Sequence, residues 1–210
     1  EKNNIPDISI KPFRYGEKKS IHPAWTASLT LPSSVNIISR DMWGANEELL
    51  FENPETSTNG NGDFEEVNGP EATADLSEIE RVVTLNPFGR PYRWPLQYAK
   101  NIKLVVIHHT ASVRNLENPE VAIQNIYYYH SVRRGWGDIG YNYLIDTKGN
   151  IYEGRYGGNK IIGGHVRGMN NVSTGIGVLG NYEEGEIPIE VERSILALTN
   201  TLTKRYSIDP

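Results

Sequence analysis

The sequence predicts an α/β domain, a central mixed β-sheet flanked by helices, and three observations carry that reading. "IKLVVIHH" (Ile102–His109) is an unbroken apolar run of strand length, as a strand covered on both faces requires. Two longer stretches repeat their apolar residues at helical spacing. Between these, "GYNYLIDTKGNIYEGR" and "STGIGVLGNY" read as a hairpin and a further strand. Strand, helix, hairpin, strand and helix in that order build a mixed sheet with helices packed on it.

Residues 1–36 read as an extended lead-in, punctuated by Pro6, Pro12, Pro23 and Pro32, with "SLTLP" as one short candidate strand. Residues 46–93 read as an acidic insertion. Between Asn46 and Glu80 there are eleven acidic residues and no Lys or Arg, and Asn53 to Asp75 is polar and rich in Gly and Pro, the composition of a solvated loop. Within it, Asn59, Asn61, Asp63 and Glu65 alternate as in a calcium loop, but Phe64 stands where such a loop needs its turn glycine. The compact part begins near Trp94.

After the Ile102–His109 strand, Pro119 suits a first helical turn. Ala122, Ile126 and Tyr129 then share a stripe beside Ile123, Tyr127 and His130, a broad apolar helix face. The hairpin follows as Tyr141 to Asp146, a turn at 147–150, and Ile151 to Glu153. The glycines of "STGIGVLGNY" permit close approach of a neighbouring backbone. Val191, Ile195, Leu198 and Leu202 mark the second helix.

Composition excludes several classes. No apolar run approaches the ~20 residues that span a bilayer, so no transmembrane segment is expected. Cysteine is absent, so no disulfide framework and no thiolate ligand is expected within these residues. The net charge of −5 hides an asymmetry: outside the acidic stretch there are 15 acidic and 21 basic residues, a body suited to an anionic polymer. Dense Lys/Arg runs are absent, and nucleic acid is not expected as a partner.

Chemistry concentrates on few residues. His108 and His109 end the buried strand, where α/β sites form. The pair reads either as a site, imidazole being the commonest metal ligand, or as packing. Neighbours on a strand face opposite ways, so one of them at most meets a given metal. His165, among glycines on a loop, is a site residue or a solvated one. Tyr141 is an oxyanion donor or an ordinary strand aromatic. Arg155 and Arg167 can meet a carboxylate or simply water. His130 reads as a core histidine, and Trp136 and Tyr127 to Tyr129 as core rather than a sugar platform. A glycosylation sequon stands at Asn171–Ser173.

Taken together, "ISRDMWGA" (Ile38–Ala45), "VVIHHTAS", the Tyr129–His130 pair, "GWGDIGYNYLIDTKGNIYEGR" (Gly135–Arg155), "GGHVRGMNNVSTGIGVLGNY" (Gly163–Tyr182) and a closing helix resemble one family. It is the peptidoglycan recognition protein and type 2 N-acetylmuramoyl-L-alanine amidase family, which includes amidase-type phage lysozymes. The resemblance covers about half the chain. It implies hydrolysis of the amide between N-acetylmuramic acid and L-alanine by a Zn²⁺-activated water. It also implies His108 as a zinc ligand, His109 as a structural or supporting residue behind it, Tyr141 beside the metal, and His165, Arg167 and Asn170 along a substrate groove. The implied partners are peptidoglycan and muropeptides, the implied location is secreted or cell-wall associated in a bacterium, and a monomer is expected. The family's other ligands, a second His and a Cys or Asp, lie beyond its final helix, past Asp209–Pro210 here. The zinc site is therefore expected to be incomplete and the chain to be part of a longer protein. The alternatives are a recognition module that binds muropeptides without cutting them, and a wall-anchoring structural protein.

Overall fold

A computed structural model describes residues 35–51, 76–112, 117–183 and 185–209. Its centre is a five-stranded sheet of β1 (Ile37–Ile38), β4 (Leu104–His109), β5 (Tyr143–Ile145), β6 (Ile151–Glu153) and β7 (Ser173–Val178). The spatial order is β1-β6-β5-β7-β4. The β5–β6 pair is antiparallel; β1–β6, β5–β7 and β7–β4 are parallel. The mixed sheet read from the sequence is therefore present. One expectation needs correction: β4 lies at the sheet's edge, and Leu104 and Ile107 remain 39% and 36% exposed. An apolar run reports strand propensity, not which strand will be central.

Helix α1 (Pro119–Tyr128) starts where its cap allows. The Asn118 side chain accepts the Val121 N–H, and Pro119 needs no partner for an N–H it lacks. It buries Ile123, Ile126 and Tyr127 against Trp43, Ile139, Tyr141, Leu144, Tyr152 and Leu179. A π-helical turn, Tyr129–Arg133, continues it and carries His130 and Ser131 into the interior.

Helix α2 (Ile189–Tyr206) covers the other face. Val191, Leu198 and Leu202 pack with Ile145, Ile151, Ile176 and Val178, each such fully buried side chain contributing about 1.5–3 kcal/mol. Glu190 and Glu192 begin it and Lys204 and Arg205 end it, the polarity that the helix dipole favours. It stops at Ser207, which adopts a left-handed φ of 55°. There the Ile208 N–H donates to the Thr203 carbonyl (2.9 Å), closing the helix end.

The sequence reading missed one feature. β2 (Ile79–Leu85) and β3 (Pro91–Ala99) form an antiparallel hairpin, so ordered structure begins well before Trp94. Its turn is built by Asn86, whose side-chain oxygen accepts the N–H groups of Phe88 (3.0 Å) and Arg90 (2.9 Å). Pro91 and Pro95 inside β3 argue against a strand in isolation. The strand forms because Tyr92 and Leu96 pack on Leu50 and Ile161. The "SLTLP" segment, the calcium-like alternation at Asn59–Glu65 and nearly all of the lead-in lie outside the described residues.

Candidate functional site

The site forms on the α1 side of the sheet, at the C-terminal ends of β4 and β7. In the β4–β7 register Val106 stands opposite Gly175 and His108 opposite Gly177, so these four positions share a face. Both glycines are seats for other side chains. A Cβ on Gly175 would fall 2.4 Å from His165 Cγ, and one on Gly177 would fall 2.8 Å from the Tyr141 ring. The Gly-x-Gly spacing thus clears alternate positions on one face, and two side chains from different loops lie where the missing Cβ atoms would be. Sequence reading expected a backbone to approach there; rings do.

His108 and His165 meet directly, Nε2 to Nδ1 at 3.1 Å. The His108 and Tyr141 rings lie 5.8 Å apart, centroid to centroid. All three residues are buried. Burial pushes the His108 imidazole down to about 4, with His109 adding to the shift. Burial, then His108 and Arg155, pushes His165 down to about 3. Both rings are therefore neutral at pH 7. Burial also raises the Tyr141 pKa, so its hydroxyl keeps its proton and acts as a donor. Two buried polar atoms of this cluster, His108 Nδ1 and the Tyr141 hydroxyl, have no hydrogen-bond partner among the described residues. An unpaired buried polar atom is costly. Ser131 and Thr199 each bury an unpartnered hydroxyl elsewhere among the described residues, but here two such atoms stand in one cluster.

His109 turns the other way. Its Nδ1 accepts the Tyr182 N–H at 3.0 Å, and Tyr182 packs with the cluster under α2. It ties β4 to the residues after β7. Asn170 holds the His165 loop in shape, its Oδ1 accepting the N–H groups of His165 and Val166, each at 2.9 Å. Arg167 is exposed on the same loop. The structure thus brings His108, Tyr141 and His165 together, sets Asn170 behind them, and leaves Arg167 at the surface. His130 is a buried core histidine: its Nδ1 accepts the Gly140 N–H (3.0 Å) and its ring packs on Trp136 and Tyr141. Tyr127 is buried as expected, whereas Tyr128 is 48% exposed. Asn171 of the sequon is buried and so inaccessible to a glycan in the fold.

Sequence reasoning missed the groups that hold these residues. Asn142, next to Tyr141, accepts the Gly175 N–H at its Oδ1 and donates from its Nδ2 to the Ile161 carbonyl, each at 2.8 Å. Asp138 accepts the N–H groups of Ile139 and Tyr156, each at 2.6 Å. Arg40 pairs with Asp138 (3.2 Å), with both oxygens of Glu47 (2.8 and 3.0 Å), and with the Gly154 carbonyl. Burial pulls the Arg40 pKa down, but Asp138 and Glu47 outweigh that and hold it charged. The only sequence signal for this network was position: Arg40 in "ISRDMWGA" and Asp138 three residues before Tyr141.

The profile of the N-acetylmuramoyl-L-alanine amidase family matches residues 98–210, more than half of the chain and all of this cluster.

The chain belongs to this family.

Peptidoglycan-recognition protein SC2 of Drosophila melanogaster is 43% identical over 98 residues, 45% of this chain and 51% of that protein. Peptidoglycan recognition protein 1 of Bos taurus is 39% identical over 100 residues, 46% and 52% respectively. The chain spans about half the length of the curated relatives it matches. Among solved structures, Drosophila peptidoglycan recognition protein LB superimposes with a TM-score of 0.54 at 22% identity, covering 84% of this chain and 79% of that one. Recognition protein LE, in complex with tracheal cytotoxin, a monomeric diaminopimelic acid-type peptidoglycan, gives 0.52 at 25% identity, covering 82% and 76%. Family and fold agree with the resemblance read from the sequence.

Proposed function

We propose that this domain binds muropeptides and that its site hydrolyses the amide joining N-acetylmuramic acid to L-alanine with the help of zinc. The observation that carries the reading is the pair of unpartnered buried polar atoms, His108 Nδ1 and the Tyr141 hydroxyl. Membership in an amidase family supports it.

His108 Nδ1 fits a zinc ligand: it is a neutral imidazole nitrogen with no competing hydrogen bond. Among the described residues no group of three or more His, Cys, Asp or Glu could complete such a site. His109 does not serve, because its Nδ1 already holds the Tyr182 N–H. A bound zinc would supply a water of lowered pKa and polarise the scissile carbonyl. The chain's own part is the following. Tyr141 donates its hydroxyl proton as a hydrogen bond to the carbonyl oxygen while that oxygen gains charge. His165, held on Gly175 and by Asn170, fixes the His108 ring. In the overall reaction water adds to the carbonyl carbon, the C–N bond breaks, and the L-alanine nitrogen leaves with a proton. Muropeptide recognition along the His165 loop, with Arg167 at its exposed edge, belongs to the same reading.

A second reading, recognition without cleavage, is favoured by one observation: the described residues supply a single buried imidazole nitrogen without a partner rather than a ligand set. The recognition proteins among the relatives support it too. An extracellular, wall-facing location follows from either substrate role. Insect and bovine relatives remove the reason to assign that location to a bacterium. No helix among the described residues is long and apolar enough to cross a membrane.

The deciding experiment incubates the protein with a purified muropeptide, with zinc and with chelator, and measures both binding heat and newly exposed L-alanine amino groups. Zinc-dependent release establishes the amidase. Saturable binding without release supports the recognition reading for these residues. Neither binding nor release would sink both.

A further inference from the structure

We propose that Ser173 and His165 form a hydrogen-bonded relay that sets the tautomer of His108, so that His108 Nδ1 presents a bare lone pair to the site. The relay's direction follows from its far end. Ser173 Oγ lies 2.7 Å from the Met169 carbonyl, and a carbonyl oxygen has no proton to give. The serine hydroxyl is therefore the donor, and its single proton is used there.

His165 Nε2 lies 3.4 Å from the same Ser173 Oγ. With the hydroxyl proton committed, the oxygen can only accept, so His165 Nε2 carries the hydrogen. A neutral imidazole has one N–H, which leaves His165 Nδ1 bare. That bare nitrogen faces His108 Nε2 at 3.1 Å, so His108 Nε2 is the donor. His108 Nδ1 is then the unprotonated nitrogen, and it is the atom left without a partner.

The opposite polarity fails at both ends. It would turn the Ser173 hydroxyl away from the Met169 carbonyl, and it would bury an N–H at His108 Nδ1 with no acceptor among the described residues. The His165 ring is closely packed. His165 lies against Gly175, where even a Cβ would collide, and Asn170 grips its backbone. Ser173 is fully buried at the start of β7. It is a positioning residue that acts on His108 through His165, as an outer hydrogen-bond partner fixes the tautomer of a metal-binding imidazole. The relay itself stands on hydrogen bonding alone; its use in holding zinc rests on the function proposed above.

The test uses metal-free protein with ¹⁵N-labelled histidine at pH 7, with long-range ¹H–¹⁵N correlation spectra reporting which ring nitrogen carries the hydrogen. His108 and His165 are both expected as Nε2–H forms. Ser173→Ala should raise the minor His108 tautomer by about tenfold, the factor carried by one net hydrogen bond. Ser173→Thr, which keeps the hydroxyl, should not. His108 protonated at Nδ1 in the wild type would overturn the relay, as would equal tautomer populations in the two variants. Zinc is then added. A shift of the His108 Nδ1 resonance supports the metal reading. An unmoved resonance beside an intact relay overturns that reading and leaves the relay established.

Discussion

His165 lies flat on Gly175: a β-carbon at position 175 would sit 2.4 Å from His165 Cγ, 2.5 Å from Cδ2 and 2.6 Å from Nδ1. A strand residue without a side chain is the seat of a loop residue 10 positions earlier. The contact joins β7, which carries no functional side chain of its own at that position, to the ring that holds His108.

Gly175→Ala should therefore act on the site more than on the strand. The backbone there is extended, so alanine suits it, but the methyl must displace the imidazole. Overpacking of this kind costs about 1–3 kcal/mol. Urea unfolding should show that loss, and the His165 ring resonances should move. Unchanged ring resonances would count against the contact.

Tyr141→Phe separates stability from function. The Tyr141 hydroxyl is buried without a partner among the described residues, so deleting it removes a desolvation cost and no hydrogen bond to any of them. The variant should be at least as stable as the wild type. If the amidase reading holds, turnover should fall on the order of a hundredfold, with little change in muropeptide affinity. A thermal midpoint lowered by several degrees would show that the hydroxyl is satisfied after all.

The Arg40–Asp138 pair should be costly to break. Both side chains are buried and lie 3.2 Å apart. Removing Asp138 leaves Arg40 with the partly exposed Glu47 as its counter-charge, so the cost should fall toward the lower end of the about 3–5 kcal/mol of a broken buried pair. Asp138→Asn should lower the urea midpoint accordingly. Because Asp138 also accepts the Ile139 and Tyr156 N–H groups, the loop before Tyr141 should exchange its amide hydrogens faster. A loss below about 1 kcal/mol, the range of exposed ion pairs, would contradict the assignment.

Acid should destabilise the domain through His130. Burial, with Arg134 and Arg155 adding, pushes its pKa down from 6.5 to about 3. The unfolded chain takes up a proton below pH 6.5 while the folded chain refuses it. Stability from this residue is thus complete above pH 6.5 and is lost as the pH falls toward 3, by up to about 1.4 kcal/mol per unit. Between pH 6.5 and 5, urea unfolding of the wild type should be steeper in pH than that of His130→Gln by about this amount. Parallel pH dependences would mean that His130 is protonated in the fold.

Much of the fold is legible in the sequence. The strand ending at His109, the helix start at Pro119, the turn at 147–150 and the α2 stripe of Val191, Ile195, Leu198 and Leu202 are local patterns, and each element forms there. The β2–β3 hairpin is not legible, because its prolines contradict local strand propensity and packing on Leu50 and Ile161 overrides them. Strand order is not legible either, since the apolar run of β4 is the same whether the strand is central or at an edge.

At the site the division is similar. The family resemblance singles out His108, Tyr141 and His165, and the strand's alternation requires His108 and His109 to face opposite ways. Folding brings the first three together and turns His109 to hold Tyr182 instead. It also sets Asn170 to serve the loop, and places Ser173, Asn142 and Arg40 behind the site. Those outcomes depend on contacts between residues far apart in sequence, such as Arg40 with Asp138, or on cleared space, such as that above Gly175 and Gly177. Periodicity along a chain encodes which way a side chain points. It does not encode what the rest of the chain will bring to meet it.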